Sequence, residues 1–110
     1  MTRERPTLED KIERIVRGLE KCGAEKGILF GSSARGTTDE WSDVDLIVVQ
    51  RTEKRFLDRL GEVMEAIDAN FALDVLVYTP EEFDRMRDEE RPFLMHALEE
   101  GKVIYEKPQG

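Results

Sequence analysis

An α/β chain of the α+β kind, with a small mixed β-sheet and helices packed on one face, is the fold class that this sequence predicts. Three observations carry that expectation. Segments with apolar residues at helical spacing alternate with short apolar runs of strand length. Glycine, proline and asparagine stand at the junctions between them, where they start or stop elements. The 110 residues suit one domain, residues 1–110, with a real core, and are too few for two. The second sheet face is expected to stay partly open, and an open face on so small a protein invites a partner.

The elements follow in order. Thr7-Leu8-Glu9-Asp10 is a capping-box-like start, and Leu8, Ile12, Ile15, Val16 and Leu19 continue it at helical spacing until Gly23 stops the helix. Gly27 to Phe30 reads as the first strand and Val44 to Gln50 as the second. A helix is predicted from Glu53 or Lys54 to Ala69, burying Phe56, Leu60, Val63, Met64 and Ile67, with Asn70 at its end and Phe71 tucked beneath. Ala72 to Tyr78 gives the third strand. Thr79-Pro80-Glu81-Glu82 combines a cap, a proline at the first helical position and a glutamate at the third, with Phe83 and Met86 facing inward. After the acidic linker Asp88-Glu89-Glu90, Pro92 opens a last helix to Glu100. Gly101 ends it, and Val103-Ile104-Tyr105 forms a short strand. Residues 1–6 and 106–110 are expected to fray.

Composition narrows the function. Charged residues make up 38% of the chain and hydrophobic ones 39%, as in soluble domains with charged surfaces. The net charge of −8, with a sequence pI near 4.7, has the wrong sign for gripping long nucleic acid through its phosphates. The single cysteine, Cys22, excludes an intramolecular disulfide, and the single histidine, His96, leaves no Cys/His zinc pattern. The first residues lack the apolar core of a signal peptide, and no segment reaches membrane-spanning length. A cytoplasmic location is the reading that follows.

The chemistry concentrates between the first two strands, in the stretch from Gly31 to Leu46. Gly31 and Gly36 permit backbone conformations and close approaches that a side chain forbids. Consecutive small residues leave N–H groups free for an anion, Ser32 adds a hydroxyl, and Arg35 adds a planar fork suited to phosphate oxygens. Asp43 and Asp45 stand two apart where the second strand begins, so both carboxylates project from one face. Like charges held that close repel unless a cation lies between them. Magnesium takes one or two protein carboxylates and fills its other positions with water and phosphate. A phosphate cradle beside a metal pair reads as a site for a nucleoside triphosphate and magnesium.

The pattern Gly-Ser-x-Ala-Arg-Gly…Ser-Asp-x-Asp-Leu, from Gly31 to Leu46, resembles the signature of the DNA polymerase beta-like nucleotidyltransferase superfamily. Its short stand-alone members, the minimal nucleotidyltransferases, are the most similar in length and element order. The resemblance implies the polymerase beta-like fold and transfer of a nucleoside monophosphate from a triphosphate, ATP above all, to a hydroxyl with two magnesium ions. Position by position, it makes Gly31 and Ser32 the phosphate turn, Arg35 a triphosphate contact, and Asp43 and Asp45 the metal-bridging carboxylates. The family's third carboxylate, on a neighbouring strand, falls on Asp74 in Leu73-Asp74-Val75. Asp43, Asp45 and Asp74 thus become the catalytic and metal-holding set.

The acceptor is not encoded in this motif. Larger superfamily members add domains that bind it, and this chain ends soon after the nucleotide site. The resemblance points to a helical HEPN protein as partner: many minimal nucleotidyltransferases attach AMP to a tyrosine of a HEPN toxin and act as its antitoxin. A homo- or hetero-oligomer is the corresponding expectation. The alternatives are transfer to a small hydroxylated molecule such as an aminoglycoside, attracted by the anionic surface, and a binding module that neutralises its partner by docking alone. Trp41 is either a base-stacking residue at the pocket rim or a loop anchor.

Overall fold

The computed structural model describes residues 7–31 and 43–108. Within these residues the chain runs α1 (Leu8–Cys22), β1 (Lys26–Phe30), β2 (Val44–Val49), α2 (Phe56–Ile67), β3 (Leu73–Tyr78), α3 (Pro80–Asp88), α4 (Pro92–Glu100) and β4 (Lys102–Glu106). The strands form one mixed sheet in the order β3-β2-β1-β4. β1 is antiparallel to both of its neighbours, whereas β2 and β3 run parallel. Among the described residues no helix is long and apolar enough to cross a membrane.

Capping chemistry sets the helix ends as the sequence predicts. The Thr7 hydroxyl accepts from the Asp10 N–H and the Asp10 carboxylate accepts from the Thr7 N–H, each at 3.1 Å. Thr79 and Glu82 close the same reciprocal box around the start of α3, with Pro80 in its first turn. Gly23 ends α1 in the left-handed conformation at φ 72°.

Two cores flank the sheet, because alternate strand residues face opposite ways. Leu29, Val44, Leu46, Val48, Val75 and Val77 pack on Ile15 and Leu19 of α1 and Val63 and Ile67 of α2. On the other face, Ile28, Ile47 and Val49 meet Phe83 of α3 and Leu94 and Ala97 of α4. The expected fold class stands, with one refinement: helices lie on both faces rather than one. The reason is in the strands. Leu46-Ile47-Val48-Val49 is apolar on both sides, and such a strand needs cover on both.

Several boundaries differ from expectation. α2 begins at Phe56, not at Glu53 or Lys54, because the Thr52 hydroxyl accepts the Lys54 N–H in a local turn that competes with helix. It ends at Asp68, left-handed at φ 49°, rather than at Asn70, and the Arg14 guanidinium donates to the Asp68 carbonyl from α1. Val63 and Ile67 are buried as predicted, but Phe56 and Met64 are each 39% exposed. Phe56 instead rests against the Tyr78 ring, with centroids 6.2 Å apart. At the other end of the chain, β4 extends through Glu106, and the Lys107 N–H donates to the Glu25 carbonyl at 2.8 Å. The expected fraying from residue 106 is thus corrected up to Lys107, and residues 1–6 and 109–110 lie outside the described residues.

Candidate active site

The Val44 N–H donates to the Ala72 carbonyl at 3.0 Å, tying the start of β2 to the start of β3. From there the parallel register sets Asp45 beside Asp74. Neighbouring strands lie about 4.8 Å apart, and residues in register share a face. Leu46, Val75 and Val77 point into the core beneath α1 and α2, so Asp45 and Asp74 project from the opposite face. Asp43 precedes β2 by one residue and is exposed, as is Asp74, while Asp45 is half-buried. Partial burial, then the Asp74 carboxylate, then that of Asp43 push the Asp45 carboxyl above its ordinary value. The structure therefore brings together the three aspartates that the sequence singled out.

Gly31 closes the arrangement from the β1 side. Phe30 is the register partner of Asp45, so the turn leaves β1 directly against that carboxylate. Gly31 sits at φ 68°, and a Cβ placed there would lie 2.7 Å from the Asp45 Oδ2. Both facts demand glycine. Gly31→Ala is expected to cost about 1–2 kcal/mol for the left-handed backbone alone, and to weaken divalent-cation binding because Asp45 must shift. A lower urea midpoint and a weaker magnesium isotherm are the readouts. Ser32 and Arg35, the other two predicted phosphate ligands, lie outside the described residues, as does Trp41.

The donor set suits a hard cation. Among the described residues, no three His, Cys, Asp or Glu side chains are grouped so that they could together hold a metal ion. The aspartates form an open array at the end of two strands instead. Magnesium keeps several waters and substrate oxygens, so an open array of carboxylates that repel one another fits it better than a closed shell.

Other features lie elsewhere. A surface cavity of about 380 Å³ between Lys26, Val49, Phe83 and Lys107 sits at the far end of the sheet, away from the carboxylates. Burial pushes the Cys22 thiol up, against an activated nucleophile. His96 is exposed on α4, near Glu100. The motif did not point to Phe30 or Phe93, whose rings meet edge-to-face beside the site with centroids 5.6 Å apart. Their signal in the sequence was weak, since a phenylalanine in a strand or next to a buried leucine reads as core.

Known proteins resemble this chain in sequence and fold. The model of the nucleotidyltransferase domain family covers residues 9–104. A protein of Methanocaldococcus jannaschii named "Putative protein adenylyltransferase" is 32% identical over 99 residues, which span 81% of this chain and 67% of that protein. Among solved structures, "a putative nucleotidyltransferase from Sulfolobus solfataricus" superimposes with a TM-score of 0.61 at 21% identity, covering 100% of this chain and 96% of the other. A toxin–antitoxin crystal structure with AMP-PNP gives the same TM-score of 0.61 at 19% identity, over 89% of this chain and 75% of that one. The two structural likenesses speak to fold alone. The family match spans nearly all of both cores and every strand of the sheet except the last residues of β4, and on it rests the conclusion that this chain belongs to the nucleotidyltransferase domain family and is a nucleotidyltransferase.

Proposed function

We propose that this enzyme transfers AMP from ATP to a hydroxyl of a partner protein of helical HEPN type, with magnesium held by Asp43, Asp45 and Asp74, and that it serves as the antitoxin of the pair. The observation that carries the chemistry is the register of Asp45 with Asp74, with the glycine turn against Asp45. Bound magnesium would neutralise the triphosphate and lower the pKa of the attacking hydroxyl. Asp43 and Asp45 hold the donor side. Asp74, at the exposed edge strand, faces the acceptor and takes its proton. The acceptor oxygen bonds to the α-phosphorus, the bridge to the β-phosphate breaks, and pyrophosphate leaves with that electron pair. Gly31, Ser32 and Arg35 take the roles that the motif implies for them, cradling the departing phosphates.

A protein acceptor is supported by the name of the Methanocaldococcus relative and by the toxin–antitoxin neighbour. The net charge of −8 suits a basic partner. Incubating the enzyme with α-labelled ATP, magnesium and the product of the neighbouring gene should label a tyrosine of that product. No label with the wild-type enzyme, or undiminished label with Asp43→Asn/Asp45→Asn, would overturn the proposal.

A further inference from the structure

We infer that the ring of Phe93, held on Phe30, is the surface on which the nucleobase of the donor triphosphate stacks. This deepens the reading of the carboxylate end as the transfer site and rests on it. Phe93 lies in the first turn of α4, and its neighbours on that helix, Leu94 and Ala97, are buried at 0% and 2% exposure. Phe93 itself is 45% exposed. One edge of contact fixes it: the Phe30 ring meets it at an interplanar angle of 89°. An edge-to-face pair engages one ring by its rim and leaves aromatic face free for a third ring.

Position assigns the occupant. Phe30 is the register partner of Asp45, so its side chain shares the carboxylate face one strand spacing away, about 5 Å. Phe93 lies one ring contact further out. A ribose spans a gap of that order between an α-phosphate at the carboxylates and its base. The sheet order β3-β2-β1-β4 puts Phe30 on the Gly31 side of Asp45, and Asp74 on the opposite side at the edge strand. The aromatic pair therefore stands on the donor's side of the site, not the acceptor's. Phe56, the other exposed phenylalanine, rests on Tyr78 at the far end of β3 and has no such relation to the aspartates. Stacking reads a π-face rather than hydrogen-bonding edges, so this contact adds affinity for any nucleobase, most for purines.

The test compares binding of ATP with binding of inorganic tripolyphosphate, which has the phosphates and no base, by calorimetry in magnesium. Phe93→Ala should weaken ATP about tenfold and leave tripolyphosphate unchanged, and Phe93→Trp should keep or tighten ATP. In turnover, Phe93→Ala should raise KM for ATP with little change in kcat. Equal ATP affinity of wild type and Phe93→Ala overturns the inference and leaves the transfer reading intact. A matched loss of ATP and tripolyphosphate with a lower melting midpoint overturns it as well, because that is what a packing role gives. If the wild-type enzyme binds neither ligand, the inference and the transfer reading fall together.

Discussion

Asp45→Asn is expected to reduce nucleotidyl transfer by about 10³-fold, since metal-assisted stabilisation of transition-state charge is worth several kcal/mol and each 1.36 kcal/mol is a decade. The same substitution should raise the stability of the magnesium-free protein at neutral pH. The Asp45 carboxyl is held above its ordinary value of 3.8, first by partial burial and then by the charges of Asp74 and Asp43. The folded state thus takes up that proton more readily than the unfolded chain. Its contribution to stability is full below the unfolded value and is lost as pH rises through the higher folded one. At pH 7 the wild-type protein carries the whole of that repulsion, and the asparagine variant does not. Magnesium reverses the ranking: it should raise the wild-type melting midpoint and leave the variant almost unmoved. Melts with and without magnesium, at pH 7 and near pH 4, resolve all of these signs. A variant that is less stable than wild type without metal at pH 7 would show that Asp45 is held by favourable contacts instead.

Gly18→Ala and Gly61→Ala are expected to change stability in opposite directions, although both sit in helices. At Gly18 a Cβ would lie 2.5 Å from the Ile67 Cα and 2.8 Å from the Ile67 N, where α1 crosses α2. Backbone atoms cannot rotate away as a side chain does. Overpacking of about 3 kcal/mol, less the roughly 1 kcal/mol that alanine gains over glycine in a helix, leaves a loss of about 2 kcal/mol. At Gly61 nothing lies within 4 Å of the added Cβ. There the helical preference acts alone, and stability should rise by about 1 kcal/mol. Urea unfolding of the two variants beside wild type checks both. Equal shifts would mean that the α1–α2 crossing is looser than its geometry indicates.

Local chemistry was what the sequence disclosed best. Both capping boxes and the Gly23 stop rest on residues within four positions of one another, and they stand where the sequence put them. Asp43 and Asp45 were legible from their two-residue spacing at the start of a strand, whereas Asp74 was picked out by the family resemblance; the apolar neighbours of Asp45 and Asp74 then fix their common face in the fold. What escaped depends on contacts across the fold. Phe56 and Met64 share a helical stripe with Val63 and Ile67, yet both are 39% exposed, so periodicity alone overstated the buried face. The end of α2 at Asp68 involves a guanidinium fifty-four positions away. Nothing in the sequence around Gly18 marks it as the contact point of two helices. The exposed ring of Phe93 could not be told from its buried neighbour Leu94 without knowing which way α4 lies on the sheet.

The parallel pairing of β2 with β3 has a consequence for quality control. Sliding β3 by one residue would turn Val75 and Val77 outward and send Asp74 into the oily side of the sheet, at a cost that the core could not absorb. Alignment of Asp45 with Asp74 and burial of the interior are therefore one event, decided by the same alternation. A molecule that has sealed its core has, by that act, set Asp45 beside Asp74. A one-residue slip of β3 therefore cannot keep the core while losing the alignment of Asp74 with Asp45.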